Sequence, residues 1–123
     1  MEKIYTNQAP EPVGPYSQAI KVSGFLYCSG QIGIDPATNA LVSGSIEEQT
    51  LQIMKNVSKV LMEAGYSFDD VVKTTCFLND MNDFSIFNKI YSEYFTSKPA
   101  RSCVEAELPK GALAEVEVIA YKE

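Results

Sequence analysis

The spacing of apolar residues changes several times along the chain, and each change marks an element. The segment Ala9-Pro10-Glu11-Pro12-Val13-Gly14-Pro15 has no period at all. Its prolines fix φ and remove backbone donors, which excludes helix and predicts an extended path over a surface, after a short strand around Ile4–Thr6. Ala19–Val22 and Phe25–Cys28 are short apolar runs joined by Ser23-Gly24, the pattern of a hairpin, and Asp35-Pro36-Ala37-Thr38-Asn39 reads as a loop. From Ser45 the period lengthens. Ile46, Thr50, Met54 (or Ile53), Val57, Val60, Leu61 and Ala64 recur every three or four residues, predicting an amphipathic helix that Gly65 stops. Ser45 and Glu48 have the spacing of a capping box. Val71–Leu78, rich in Val, Thr, Cys and Phe, predicts a central strand, and Asn79–Asp83 a polar cap region. A second helix follows, with Phe84, Phe87, Ile90, Tyr91, Tyr94 and Phe95 on one face, and it finishes before Pro99. Ala100–Ala106 and Leu113–Tyr121 then read as strands on either side of Leu108-Pro109-Lys110-Gly111.

This order implies an α+β fold: a mixed sheet with both helices on one face. No linker, repeat or low-complexity run divides residues 1–123, which are read as one domain. Several strands carry apolar residues on both alternations, as in Val71, Val72, Cys76 and Phe77, so the face without helices is expected to pack against another subunit.

Composition narrows the chemistry. With 46% hydrophobic and 21% charged residues the chain is an ordinary globular one. Its longest uncharged stretch, Val22–Ile34, is broken by glycines and falls short of the roughly 18 apolar residues of a membrane span. Glu2, Pro10, Glu11 and Pro12 stand where a signal peptide would be basic and then apolar, so a cytoplasmic location is expected, with no membrane partner. Ten basic against sixteen acidic residues give a net charge of -6, which opposes binding to nucleic acid. Cys28, Cys76 and Cys103 are odd in number and widely spaced, resembling neither a disulfide framework nor a zinc site. There is no histidine, which removes Ser-His-Asp and Cys-His nucleophile systems and His-ligated metals. No GxGxxG or Walker phosphate loop occurs, so a classical nucleotide site is unsupported. An enzyme built on this chain works with carboxylates, Tyr, Cys, Lys, backbone amides and Arg101, the sole arginine.

Strand alternation places Arg101, Cys103 and Glu105 on one side of their strand. A guanidinium can hold a carboxylate through two parallel bonds, a task lysine does poorly; the alternative is an ordinary surface arginine. Cys103 beside it is either a nucleophile or redox sensor or an inert, buried thiol. Glu115 and Glu117 share a face of the last strand. A carboxylate held among apolar groups can orient or deprotonate water, whereas a solvated edge strand would carry charges only against aggregation. Tyr16, after Gly14-Pro15, is a pinned phenol or a core aromatic. Ser29-Gly30 and Gly33 offer backbone amides or simply a turn.

Taken together, Gly14-Pro15-Tyr16-Ser17-Gln18-Ala19, Ser29-Gly30-Gln31-Ile32-Gly33, Pro99-Ala100-Arg101-Ser102-Cys103-Val104 and Leu108-Pro109-Lys110-Gly111-Ala112 with Glu115-Val116-Glu117 resemble the Rid (YjgF) family of reactive-intermediate deaminases, also known as L-PSP endoribonucleases. The resemblance spans about Ile4 to Tyr121. It implies a chorismate-mutase-like α+β domain and a homotrimer with clefts between subunits. It further implies that Arg101 grips the carboxylate of a 2-imino acid, that the backbone around Cys103 contacts the imine nitrogen, and that Glu115 positions the attacking water. Tyr16, Ser29, Gly30 and Asn88 match residues lining the cleft. The implied reaction is a cofactor-independent hydrolysis of 2-imino acids, formed from 2-aminoacrylate-type enamines, to 2-keto acids and ammonia. Relatives with one more residue before the Leu-Pro pair leave open the orientation of Glu105 and Glu107. The family also holds members credited with cleaving single-stranded RNA, and non-catalytic carboxylate-binding or chaperone-like trimers, so membership alone leaves those alternatives open.

Overall fold

The computed structural model describes residues 1–123 and places eight strands and two α-helices along them. In order they are β1 (Glu2–Ile4), β2 (Ala19–Val22), β3 (Phe25–Cys28), β4 (Ile34–Asp35), β5 (Ala40–Leu41), α1 (Ile46–Glu63), β6 (Val71–Leu78), α2 (Phe84–Tyr94), β7 (Ala100–Glu105) and β8 (Ala114–Tyr121). Six strands form one sheet in the order β1-β2-β3-β8-β6-β7, and β4 pairs with β5 separately. All neighbours in the large sheet are antiparallel except β6 and β7. Parallel strands need a crossover, and α2 supplies it.

The β2–β3 hairpin forms where the sequence predicts it, because Ser23 and Gly24 both adopt positive φ, 50° and 85°, matching the twist of paired strands. Helix α1 begins after Ser45, whose hydroxyl accepts from the Glu48 N–H at 3.3 Å. The reciprocal half of the expected capping box is replaced: the Ser45 N–H donates to Ser43 Oγ at 3.1 Å. At its other end α1 has no basic residue of its own. Lys21 and Lys122 reach it from the sheet, their ammonium groups donating to the carbonyls of Ala64 (3.1 Å) and Gly65 (3.0 Å), where the helix dipole is negative.

Two expectations are corrected. The first strand is Glu2–Ile4, not Ile4–Thr6, because the Gln18 side chain takes both backbone groups of Thr6: Oε1 accepts its N–H at 2.7 Å and Nε2 donates to its carbonyl at 3.0 Å. Strand β8 is not an edge strand but lies between β3 and β6, so Glu115 and Glu117 are not solvating an edge.

Both helices pack on one face of the sheet. Leu26, Cys76, Val116, Val118 and Ala120 point from the sheet into the core and meet Ile53, Met54, Val57 and Leu61 of α1 and Phe87 and Tyr91 of α2. The opposite face carries Phe25, Tyr27 and Tyr121, with the Phe25 ring 4.7 Å from Tyr121 and 5.9 Å from Tyr27. These rings and Val104 are 37–47% exposed, an apolar sheet surface that the chain itself does not cover. No helix is long and apolar enough to cross a membrane.

Candidate active site

Arg101 is the second residue of β7 and the register partner of Thr74, a buried residue that faces the core. Its side chain therefore turns to the helical face, against α2. Nη1 donates to Asn88 Oδ1 at 2.6 Å, and the guanidinium carbon lies 4.6 Å from the centre of the Tyr91 ring and 5.5 Å from that of Phe84. One donor of the fork is engaged by Asn88, and others remain for a ligand. A cleft of about 460 Å³ opens here, lined by Asn88, Ser92, Thr96, Lys98 and Arg101.

Cys103 lies two residues on, partly buried against the core. Burial pushes its thiol up from its ordinary value, and the Arg101 charge only partly opposes this. A protonated thiol is a poor nucleophile. The backbone of Cys103 has a different position. Strand β7 is the sheet's edge, and the Ala106 N–H donates to the Leu78 carbonyl of β6 at 2.9 Å. Backbone direction alternates along a strand, so Val104 and Ser102 also face β6, while the N–H and C=O of Cys103 point outward from the edge. The structure orients Glu105, one of the two glutamates left open by the sequence: its Oε1 accepts the Met81 N–H at 2.9 Å.

Glu115 stands opposite Phe77, on the other side of the sheet from Val116 and the core. Its carboxylate lies against Gly30: a Cβ there would fall 2.8 Å from Glu115 Cδ and closer still to Oε2, so a side chain at this position would push the Glu115 carboxylate aside. Burial and, secondarily, the nearby charge of Glu117 raise the Glu115 pKa above the ordinary carboxylate value. The position of Gly30 is fixed on both sides, because the Ser29 N–H donates to the Gln18 carbonyl and the Gln31 N–H to that of Val116, each at 2.9 Å. Tyr16, 52% exposed, folds back over Gly14, to whose carbonyl its N–H donates at 2.9 Å. With Val13, Gly30, Gln31 and Glu115 it lines a second cleft, of about 130 Å³. Ser29 is oriented differently: its hydroxyl donates to the Ser17 carbonyl at 2.6 Å, so it braces the Tyr16 segment and offers only lone pairs to a ligand.

The chain thus assembles two half-sites, Arg101 with Asn88 and Tyr16 with Gly30 and Glu115. It does not bring them together. Through β6, Arg101 aligns with Thr74 and Val118 on the core face, whereas Glu115 aligns with Phe77 and Val104 on the uncovered face. No three Cys, Asp or Glu side chains converge as they would around a metal ion. Two contributors escaped the sequence reading. Gln18 is buried and ties Thr6 and Pro10 to the Tyr16 loop, and Tyr91, read there as a core aromatic, is also the surface on which Arg101 rests. A polar residue next to Tyr16-Ser17 was the available signal for Gln18; Tyr91 had none.

Comparison with known proteins bears on the fold and the family together. The family described as Endoribonuclease L-PSP matches residues 6–122. A RutC family protein of Pyrococcus horikoshii is 55% identical, over 99% of this chain and 98% of its own. A human protein named 2-iminobutanoate/2-iminopropanoate deaminase is 49% identical, over 97% of this chain and 88% of its own. Among solved structures, a Yersinia pestis protein of the conserved Rid protein family is 52% identical and superimposes with a TM-score of 0.95, covering 98% of each chain. The chain belongs to the Rid (YjgF, L-PSP endoribonuclease) family.

Proposed function

We propose that this protein is a cofactor-independent deaminase that hydrolyses 2-imino acids to 2-keto acids and ammonia, in clefts between the subunits of a homotrimer. The observation that carries the reading is the split site: an aromatic-backed guanidinium on one face of the sheet, and on the other a carboxylate of raised pKa beside the uncovered apolar surface. A second copy seated on that surface supplies each half-site with its complement. The human relative's name fits this chemistry.

The substrate is a 2-imino acid in its iminium form. Arg101 pairs with the carboxylate and fixes the plane of the molecule. The outward-facing backbone of Cys103, at the edge of β7, holds the imine nitrogen. Glu115 orients a water and removes its proton as the oxygen bonds to C2, giving a tetrahedral carbinolamine. The nitrogen takes the proton held by Glu115 and leaves as ammonia, which picks up the hydroxyl proton as the C2–O bond becomes a carbonyl, so one water is consumed and one 2-keto acid and one ammonium ion are released. The iminium carbon is already electrophilic, and orientation with charge fixing supplies the acceleration. Tyr16 and Gly30 close the cleft around the water, and Asn88 steadies Arg101.

The family's endoribonuclease name suggests RNA as a substrate, but a net charge of -6 and half-sites without a basic track do not favour it. The test generates 2-iminobutanoate or 2-iminopropanoate with an amino-acid oxidase and catalase and follows its decay. Accelerated release of keto acid and ammonia, lost in Arg101→Ala, supports the reading. No acceleration by the assembled wild-type protein, or RNA cleavage that survives physiological salt and disappears with Arg101→Ala, overturns it.

A further inference from the structure

We infer that Tyr91 is a positioning residue for Arg101: its ring, oriented by Thr74, fixes the plane of the guanidinium so that the donors not taken by Asn88 are held ready for a carboxylate. The inference rests on the reading of Arg101 as the residue that grips the substrate carboxylate.

Phe84, Asn88 and Tyr91 recur on α2 at four- and three-residue spacing, so they stand on one face of the helix, and that face meets β7 at Arg101. Each makes a different contact with the one guanidinium. Asn88 accepts from Nη1 and so sets rotation within the guanidinium plane, while the Tyr91 ring at 4.6 Å and Phe84 at 5.5 Å set its tilt. A ring can hold another group only if it is held itself. Tyr91 is 6% exposed, and its hydroxyl is 2.7 Å from Thr74 Oγ1, in a residue with no exposed surface. Thr74 is also the register partner of Arg101 across β6 and β7, so the strand next to the arginine holds the ring beneath it. Packing alone would not need a hydroxyl at this position, since Phe fills nearly the same volume. An exposed arginine otherwise samples many rotamers, and ordering it before the substrate arrives removes that cost from binding.

The test exploits Arg101 being the only arginine, so one Nε–H resonance reports on it without ambiguity. In the wild-type protein that resonance and the Arg101 Hδ signals are expected to be displaced upfield by the ring, with nuclear Overhauser contacts to the Tyr91 ring protons. Tyr91→Leu should remove the displacement and raise KM for the imino acid about tenfold while kcat changes less than about twofold, because the arginine keeps its charge and loses only its order. Tyr91→Phe, which keeps the ring but loses its bond to Thr74, should fall between wild type and Tyr91→Leu in both readouts. A folded Tyr91→Leu protein with an unchanged Arg101 resonance and KM overturns the inference. So does a wild-type spectrum without Tyr91–Arg101 contacts, which decides the matter if Tyr91→Leu does not fold. If the wild-type protein shows no deaminase turnover, the proposed function falls, and the resonance experiment still decides the role of Tyr91.

Discussion

Glu115 is held where its charge is disfavoured, and this sets its proposed role as a base against the stability of the fold. Its carboxylate lies over Gly30 with Glu117 nearby, and its pKa is raised, first by burial and then by that neighbour. The folded protein therefore holds the proton more tightly than the unfolded chain does. Ionisation of Glu115 lowers stability as pH rises from the ordinary carboxylate value through the raised one, and below that window the cost is absent. A base must be ionised to act, so the acid limb of the kcat profile should lie above the ordinary carboxylate value of 4.5. Glu115→Gln should remove that limb, lower kcat by about a hundredfold or more, and leave the protein at least as heat-stable at pH 7. Stopped-flow kinetics and calorimetry check both; a variant that is fully active, or that melts well below wild type, contradicts the assignment. The two neighbours on β7 should behave unequally. Arg101→Lys keeps the charge but loses the fork and most of the aromatic contact, and kcat/KM should fall by about a hundredfold with the fold intact. Cys103→Ser should change kcat/KM by less than about threefold, since burial holds the thiol protonated and the proposed contact is made by the backbone. Loss of activity in Cys103→Ser with a fully active Arg101→Lys would mean thiolate chemistry in place of a carboxylate clamp.

Elements whose cause is local were legible in the chain. The Ser23-Gly24 turn, the Ser45 cap and the β-branched run Val71–Leu78 each carry their reason within a few residues, and each was found at the expected place. What could not be read was set by distant partners. Nothing near Thr6 says that its backbone belongs to Gln18, twelve residues on, and so the residue pattern alone sets the first strand two residues late. The expected loop Asp35–Asn39 is the turn of the short β4–β5 hairpin, whose two strands carry no signal of their own because they are held from outside: Asn56 of α1 donates to the carbonyls of Ile32 (3.2 Å) and Ile34 (2.9 Å). Polar residues at helical spacing are indistinguishable from solvent-facing ones until the loop above them is placed. The candidate residues themselves were legible because they sit in short motifs. That Arg101 and Glu115 face opposite ways depends on the registers of two strand pairs, which alternation within one strand cannot supply. The Gln18 clamp makes a prediction at this level. Gln18→Leu strands the Thr6 N–H and the carbonyls of Thr6 and Pro10, and should cost about 2–4 kcal/mol. Urea unfolding checks the loss, and hydrogen exchange should speed up selectively across residues 6–16; uniform acceleration throughout the sheet would mean that Gln18 merely fills the core.

At the scale of the whole molecule, the sheet is both a divider and an adaptor. It buries one face under two helices, which is enough for a core, and leaves the other with exposed aromatic rings and the half-buried Glu115 facing whatever docks there. A closed ring of three chains, about three times 13.6 kDa, would cover that face and set Arg101 of one copy against Glu115 of the next. This arrangement can be tested without knowing the interface, because in it the two half-sites would complete each other only between chains. Arg101→Ala and Glu115→Ala should each be inactive alone. When they are unfolded together in equal amounts and refolded, random assortment gives about one quarter of the clefts a working Arg101 from one variant and a working Glu115 from the other, whatever the ring size. Roughly a quarter of wild-type activity should then return, and it should track the fraction of mixed assemblies seen by native mass spectrometry. Mixing the folded variants without exchange should return none. If mixed assemblies form and stay inactive, both residues act within one chain, and the site shared across the sheet's open face is wrong.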